Sequence, residues 1–293
     1  MPLVSAGAAG LYNGRMKLFD KFWHKTLGRP YRLARPLDSG EGEPVVFLHG
    51  IGRTGQTWQH VFDELAALPC RLVAFDLLGF GGSPKPDWLH YNIDDHAAAV
   101  IAAIERLKPG QPAVLVGHSM GCLVAVRVAH LRPDLVRHLV LYEMPLYEGL
   151  PEKRRYRLRL NLYFRFYEWV VRYKPAFDAA SQKRVERLAR RIAGFEVEEA
   201  TWQPFIKSLE HSIMRQTAAD DIKHIDVPMD VIYGMFDMLV IRGKPQHIFG
   251  SDNDRVTAYS VRARHVISVR ASHFIAQRIA AALSEKTGSI RHV

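Results

Sequence analysis

The chain has 293 residues, of which 48% are hydrophobic and 24% charged, with a formal net charge of +10. That is the composition of an ordinary globular chain with room for one sizeable core, and no run of about 18 apolar residues offers a membrane-spanning helix. Two cysteines, Cys70 and Cys122, exclude a disulfide framework, and the excess of positive charge comes without a nucleic-acid-binding motif.

The charge suits solubility, an anionic substrate or an anionic membrane surface. Residues Met1 to Gly14 lack the basic start and compact apolar block of a secretory signal. With the few cysteines, this leads to the expectation of a cytoplasmic protein. No cluster of Cys, His and acidic residues has metal-ligand spacing, so neither a metal nor another cofactor is expected.

Residues 1–30 read as an extension. Within it, Lys17 to Leu27 is amphipathic: Leu18, Phe19, Phe22, Trp23 and Leu27 face one way, and Lys17, Asp20, Lys21 and Lys25 the other. A helix packed on the core is the first reading of this pattern. Peripheral contact with a membrane surface is the second, since basic and aromatic residues suit an interfacial helix.

Short apolar runs then alternate with helical stripes. Val45 to Leu48, Leu72 to Phe75, Ala113 to Val116 and Leu139 to Tyr142 read as buried strands. Between them, Trp58, Val61, Phe62 and Leu65 form one helical stripe. Ala97, Val100, Ile101, Ile104 and Leu107 form another, with Asn92 as its cap. Gly121 to His130 reads as a helix ended near Pro133. Such alternation predicts crossover connections and a mostly parallel sheet with helices on both faces, an α/β fold.

The alternation stops near Pro145. Leu158, Leu162, Phe166, Trp169 and Tyr173 repeat at helical spacing, as do Val185, Leu188, Ala189 and Ile192, then Trp202, Phe205, Ile206, Leu209 and Ile213. Residues 146–219 are therefore expected to form a helical cap inserted into a core of 31–145 and 220–293. Aromatic and arginine residues are dense in this cap, so it is expected to shape an apolar pocket with a basic rim, Trp169 among its lining. Strand signals return at Met229 to Tyr233 and His265 to Val269. A final helix follows through Ile275, Ile279 and Leu283.

The strongest chemical signal is Gly117-His118-Ser119-Met120-Gly121, between an apolar strand and a helix. At such a turn the serine stands beyond the strand end, and the glycines let backbone crowd around it. A serine hydroxyl needs a base to take its proton. With Met229–Tyr233 and His265–Val269 as strands, the loop after the last strand holds His273, which becomes the candidate base. His265 then falls at a strand edge, with no role assigned. The acid that orients the base is expected to be Asp237, directly after Met229–Tyr233, with Glu143 as the rival. The backbone N–H groups of Met120 and Ile51 are the candidate oxyanion donors. His49, Gly50, Glu143, Trp169 and Phe274 are candidates for the substrate pocket.

These residues together resemble the α/β-hydrolase superfamily, in its serine-nucleophile branch with a helical cap. The resemblance runs from about Tyr31 to Val293. It extends to Asp76-Leu77-Leu78-Gly79-Phe80-Gly81-Gly82-Ser83, similar to the family's D-x-x-G-x-G-x-S loop, where the aspartate usually bonds loop backbone. The resemblance implies an eight-stranded, mostly parallel sheet. It also implies a hydrolase in which Ser119 attacks a carbonyl. The expected substrate is a small or medium hydrophobic carboxylic ester. Carbon–carbon bond hydrolysis of the meta-cleavage-product type is the first alternative, lowered because Phe274, not tryptophan, follows His273. A slow-turnover ligand receptor is the second. The oligomeric state is not read from the sequence.

Overall fold

The computed structural model describes residues 21–146, 199–237 and 254–284, with Arg165, Arg172, Ala180 and Lys183 as isolated helical positions. Among the described residues there is one seven-stranded sheet: β1 (Leu37–Ser39), β2 (Glu43–Leu48), β3 (Cys70–Phe75), β4 (Ala113–His118), β5 (Val136–Tyr142), β6 (Met229–Gly234) and β7 (Val256–Val261). The spatial order is β1-β3-β2-β4-β5-β6-β7, with β1 antiparallel to β3 and every other pair parallel. The eight strands implied by the family resemblance are thus seven here.

Among the described residues the α-helices are α1 (Gln59–Leu65), α2 (Ile93–Leu107), α3 (Met120–Leu131), α4 (Trp202–Ser208), α5 (Ala218–Ile222) and α6 (Val269–Ser284). Strand side chains alternate between faces with period two, and each face has its own helices. On β2, Val46 and Leu48 join the cluster that takes in Val100 and Ile104 of α2 and Leu123 of α3. Val45 and Phe47 join the other, with Val61 and Phe62 of α1 and Ile275 and Ile279 of α6. The buried, apolar strands β2 and β4 fit a sheet covered on both faces. Helix α2 starts on a reciprocal cap. Asn92 Oδ1 accepts the Asp95 N–H at 2.8 Å, and Asp95 Oδ2 accepts the Asn92 N–H at 3.2 Å, a motif whose loss costs about 1 kcal/mol.

Five of the six expected strands are present, each within a few residues of its predicted span. The sixth is displaced. The strand lies at Val256–Val261, while His265 to Ser268 form a loop and Val269 opens α6. Among the described residues β7 pairs only with β6 and so forms an edge of the sheet, and Thr257, Ala258 and Ser260 on it are exposed. An edge strand with a solvated face carries no apolar run, so the β-branched residues after it drew the prediction eight or so residues too far.

Of the expected cap, the stripes at 158–173 and 185–192, with Trp169, lie outside the described residues. The third stripe is described. Trp202, Phe205, Ile206, Leu209 and Ile213 are buried in the same cluster as α3. Polar bonds fasten this segment to the loop before α2 and to its first turn: Ser212 Oγ donates to the Tyr91 carbonyl at 2.7 Å, Lys207 Nζ to that of Leu89 at 2.8 Å, and Ser208 Oγ lies 3.2 Å from His96 Nε2. Of the amphipathic N-terminal stretch, Leu18 and Phe19 lie outside the described residues. Phe22–Thr26 forms a short π-helical turn. Among the described residues no helix is long and apolar enough to cross a membrane.

Candidate active site

Ser119 stands between β4 and α3 with φ 51° and ψ −119°. A non-glycine residue so placed stores about 1–3 kcal/mol and persists only where its surroundings enforce it. They do so here. The Ser119 N–H donates to the Tyr142 carbonyl at 3.0 Å. A Cβ on Gly121 would lie 2.3 Å from the Leu48 carbonyl oxygen, and one on Gly117 would lie 2.6 Å from the Cys122 Cα. Both obstacles are backbone, so both positions demand glycine. The consequence is a side chain that projects from a sharp turn at the carboxyl edge of the sheet.

The imidazole that meets it is His265. Its Nε2 lies 3.1 Å from Ser119 Oγ, and its Nδ1 lies 2.8 Å from Asp237 Oδ2. A carboxylate only accepts, so Nδ1 carries the hydrogen and Nε2 is left to accept the serine proton. All three residues are buried. Asp237 follows β6 at the position expected of the acid, one turn beyond Gly234, to whose carbonyl its N–H donates at 3.2 Å.

The expected base, His273, is elsewhere. It sits in the second turn of α6 with its side chain 60% exposed, and its Nδ1 is 3.2 Å from Glu64 Oε2 on α1. Its Nε2 lies 3.0 Å from Gln277 Nε2, one helical turn on. The error descends from the displaced strand: once β7 ends at Val261, the loop after the last strand holds His265. The same argument from chain order, applied to an edge strand with polar alternation, would have found it.

Glu143, the rival acid, is at the site as well. It follows β5, is fully buried at φ 54°, and its Oε1 accepts the Gly234 N–H. One donor atom each from Glu143, Asp237 and His265 lie within 4.8 Å of one another. This is the one group among the described residues whose donors are close enough to share a cation. Each of the three already engages a protein partner: His265 with Asp237, and Glu143 with Gly234. The two carboxyl groups thus stand beside the imidazole, and Asp237 Oδ2 is the one placed 2.8 Å from its Nδ1.

The other pocket candidates divide. Gly50 lies against the serine, since a Cβ on it would be 3.1 Å from Ser119 Cβ. Ile51 beside it is buried. Met120 opens α3, where a first-turn N–H has no helical acceptor, so both expected oxyanion donors stand on segments that touch the serine. His49 is not a pocket residue. It is fully buried, its Nδ1–H donates to the Gly50 carbonyl at 2.7 Å, and its Nε2 accepts the Leu77 N–H at 2.9 Å. It ties the loop after β2 to the loop after β3, and burial draws its pKa down to about 4. Phe274, on α6, packs edge-on against Tyr259 at 5.5 Å and joins the core cluster on that face of the sheet. Asp76 keeps the structural role that the resemblance implied. Its carboxylate accepts the N–H groups of Gly55 at 2.7 Å and Gly82 at 2.8 Å. Cys122 is buried with Sγ 3.2 Å from the Tyr142 carbonyl oxygen, and burial pushes its thiol well above the ordinary range, so it rests as an inert core thiol.

A hydroxyl, an imidazole and a carboxylate in this chain can pass a proton from serine to base, at a turn flanked by backbone donors. The chain is also similar to known proteins. The family model described as "Alpha/beta hydrolase family" matches residues 45–287. The chain is 40% identical over 124 residues to the 2-hydroxymuconate semialdehyde hydrolase of Pseudomonas sp. (strain CF600), covering 39% of this chain and 42% of that protein. It is 34% identical over 127 residues to "Probable lysophospholipase BODYGUARD 4" of Arabidopsis thaliana, covering 42% of this chain and 29% of that one. The chain thus matches less than half the length of these relatives. The solved structure of a thermophilic esterase from Thermogutta terrifontis shares the fold, with a TM-score of 0.64, 20% identity, and 86% of this chain and 93% of that chain covered. On the family match over most of its length, the chain belongs to the alpha/beta hydrolase family.

Proposed function

We propose that the chain is a serine hydrolase that cleaves a carboxylic ester of a small or medium hydrophobic acid through an acyl-enzyme. The observation that carries this reading is the chain of contacts from Ser119 Oγ to His265 Nε2 and from His265 Nδ1 to Asp237 Oδ2. Ser119 Oγ attacks the carbonyl carbon while its proton passes to His265 Nε2, and the imidazolium is held by the Asp237 carboxylate. The carbonyl electron pair moves to oxygen, where the N–H groups of Met120 and Ile51 receive it. As the oxyanion collapses, the bond to the leaving oxygen breaks and His265 gives that oxygen its proton. Water then repeats the sequence on the acyl-serine, with its proton taken by His265 and returned to Ser119.

A serine rather than an aspartate at the turn supports acyl transfer. The likeness to a probable lysophospholipase favours an ester. The likeness to a 2-hydroxymuconate semialdehyde hydrolase favours the second reading, hydrolysis of a carbon–carbon bond in an anionic diketone-type acid. The residue after the base is Val266, so Phe274 has no bearing on that choice. Ser119→Ala decides the chemistry. It should lose turnover of a nitrophenyl ester and covalent labelling by a serine-directed phosphonate while the protein keeps its thermal midpoint. Turnover retained by a clean preparation of that variant would refute the reading. Assaying esters and diketone acids on the same preparation separates the two substrate classes, and tight ligand binding with almost no turnover of either points to a receptor.

We also propose peripheral contact with anionic membranes through the N-terminal turn. Phe22, Trp23 and Leu27 are 50%, 42% and 47% exposed beside the exposed Lys21, Lys25 and Arg29, an arrangement suited to a charged interface. Sedimentation with vesicles should rise with anionic lipid content and fall in Phe22→Ser/Trp23→Ser. Equal sedimentation of parent and variant would refute this contact.

A further inference from the structure

The loop that carries His265 has local backbone bonds at its ends, from the Ala263 N–H to the Val261 carbonyl and from the Ser272 N–H to that of Ser268, both at 2.8 Å, and is otherwise held from outside. Between β7 and α6, three consecutive carbonyls accept from three different strand ends. The Ala263 carbonyl accepts the Phe236 N–H at 2.9 Å. That of Arg264 accepts the Tyr142 hydroxyl at 2.6 Å. That of His265 lies 2.8 Å from His118 Nε2, which must therefore carry the ring hydrogen.

Two of these donors are side chains, and the sheet brings them together. His118 ends β4 and Tyr142 ends β5, and they are direct partners in the parallel register. Their rings stack at 5.6 Å. The same pair fixes the other side of the site, because His118 immediately precedes the serine and the Tyr142 carbonyl accepts the Ser119 N–H. Residue Gly50 closes against this pair. A Cβ there would lie 3.1 Å from His118 Nδ1.

From this geometry we infer that His118 and Tyr142 are positioning residues, a two-donor clamp on the carbonyls of 264 and 265 that sets the His265 imidazole against Ser119. The inference rests on the serine hydrolase reading. The chemistry of the two donors suits the task. Burial above all, and then the neighbouring His265, hold His118 well below the ordinary histidine range. It therefore stays neutral 5.1 Å from a ring that becomes cationic during turnover. Burial, followed by the carboxylates of Glu143 and Asp237, raises the Tyr142 phenol far above its ordinary value. Both groups can donate, and neither adds positive charge beside the imidazolium. A histidine before the serine would otherwise compete with the base; here its hydrogen is committed to the base's own carbonyl.

The clamp predicts a split between turnover and binding. Tyr142→Phe removes one oxygen and keeps the ring, and His118→Leu removes the other donor. Each should lower kcat by about 10- to 100-fold, the scale of an ångström-sized misplacement of a reacting group, with KM within about twofold of the parent. Amide hydrogen exchange at residues 262–268 should quicken in both. His118→Gln returns an N–H donor at similar reach and should recover most of the loss, which a merely structural role would not predict. Unchanged kcat in both single variants, or His118→Gln as slow as His118→Leu, would overturn the inference. So would unchanged exchange at 262–268 in Tyr142→Phe, whatever happens to turnover. Ser119→Ala is the control for the reading beneath: if it keeps turnover, that reading fails, while exchange in Tyr142→Phe still tests the clamp.

Discussion

Ser119 and His265 lie 3.1 Å apart, yet the segments that bring them there are held in opposite ways. The serine turn is encoded in five residues, 117–121, and is crowded on every side by backbone, that of Leu48 and Cys122 against its glycines and that of Tyr142 against the Ser119 N–H. Two glycines, a left-handed φ and the register of β4 on β5 leave its backbone no other course. The base loop has few such local constraints. Its position depends on donors from Phe236, Tyr142 and His118, which lie 27, 122 and 147 positions away along the chain. Crowding by backbone tolerates no new atom, whereas restraint by donated hydrogen bonds tolerates substitution so long as a donor remains.

The largest effect that would break this contrast lies in the turn. Gly121→Ala places a Cβ against the Leu48 backbone oxygen, and overpacking of this kind costs about 1–3 kcal/mol. The variant should lose both stability and turnover, measured as a urea midpoint and as ester hydrolysis. Full activity would mean that the turn is looser than described. Next comes the acid. Asp237→Asn leaves shape intact but removes the charge that fixes the His265 tautomer, so kcat should fall by about 10,000-fold with an unchanged thermal midpoint. Glu143→Gln sharpens the division between the two buried carboxylates. It should lower kcat far less than Asp237→Asn does, since Glu143 Oε1 accepts the Gly234 N–H while Asp237 Oδ2 holds the His265 ring. A loss as large as that of Asp237→Asn would make Glu143 the principal acid.

The smallest effect concerns acid stability. Burial holds His49 at a pKa of about 4 and His96 at about 3, against 6.5 for an exposed histidine. Between the folded and unfolded values the unfolded chain binds more protons, so stability rises with pH there. The contribution of these rings is complete above 6.5 and is lost as pH falls from 6.5 toward about 4 for His49 and about 3 for His96. A urea midpoint that drops across that window, and drops less in His96→Gln, is the expected result. A flat midpoint would show that the rings are less buried than described.

The same contrast explains what the sequence disclosed. Strands β2 to β6 are apolar because both their faces are covered, and the turn at Ser119 announces itself through glycines that a Cβ could not replace. Asp237 is legible as the candidate acid because it closely follows the buried strand β6. His265 was missed because β7 is an edge strand whose exposed Thr257 and Ser260 carry no hydrophobic signal, while Val266, Ile267 and Val269 imitate a strand within a loop and a helix start. Its restraint by Tyr142 and His118 leaves no trace in neighbouring residues at all. His49 looked like a pocket histidine for a related reason: its two hydrogen bonds, to Gly50 and Leu77, become visible only once β2 and β3 lie side by side.

The direct test is a matched pair of histidine variants. His265→Gln and His273→Gln are to be compared with the parent for nitrophenyl ester turnover and for the rate of phosphonate labelling at Ser119. The account predicts that His265→Gln loses at least about 1,000-fold in both, and that His273→Gln, whose ring faces Glu64 and solvent, stays within about twofold. Activity that survives in His265→Gln and disappears in His273→Gln would contradict it.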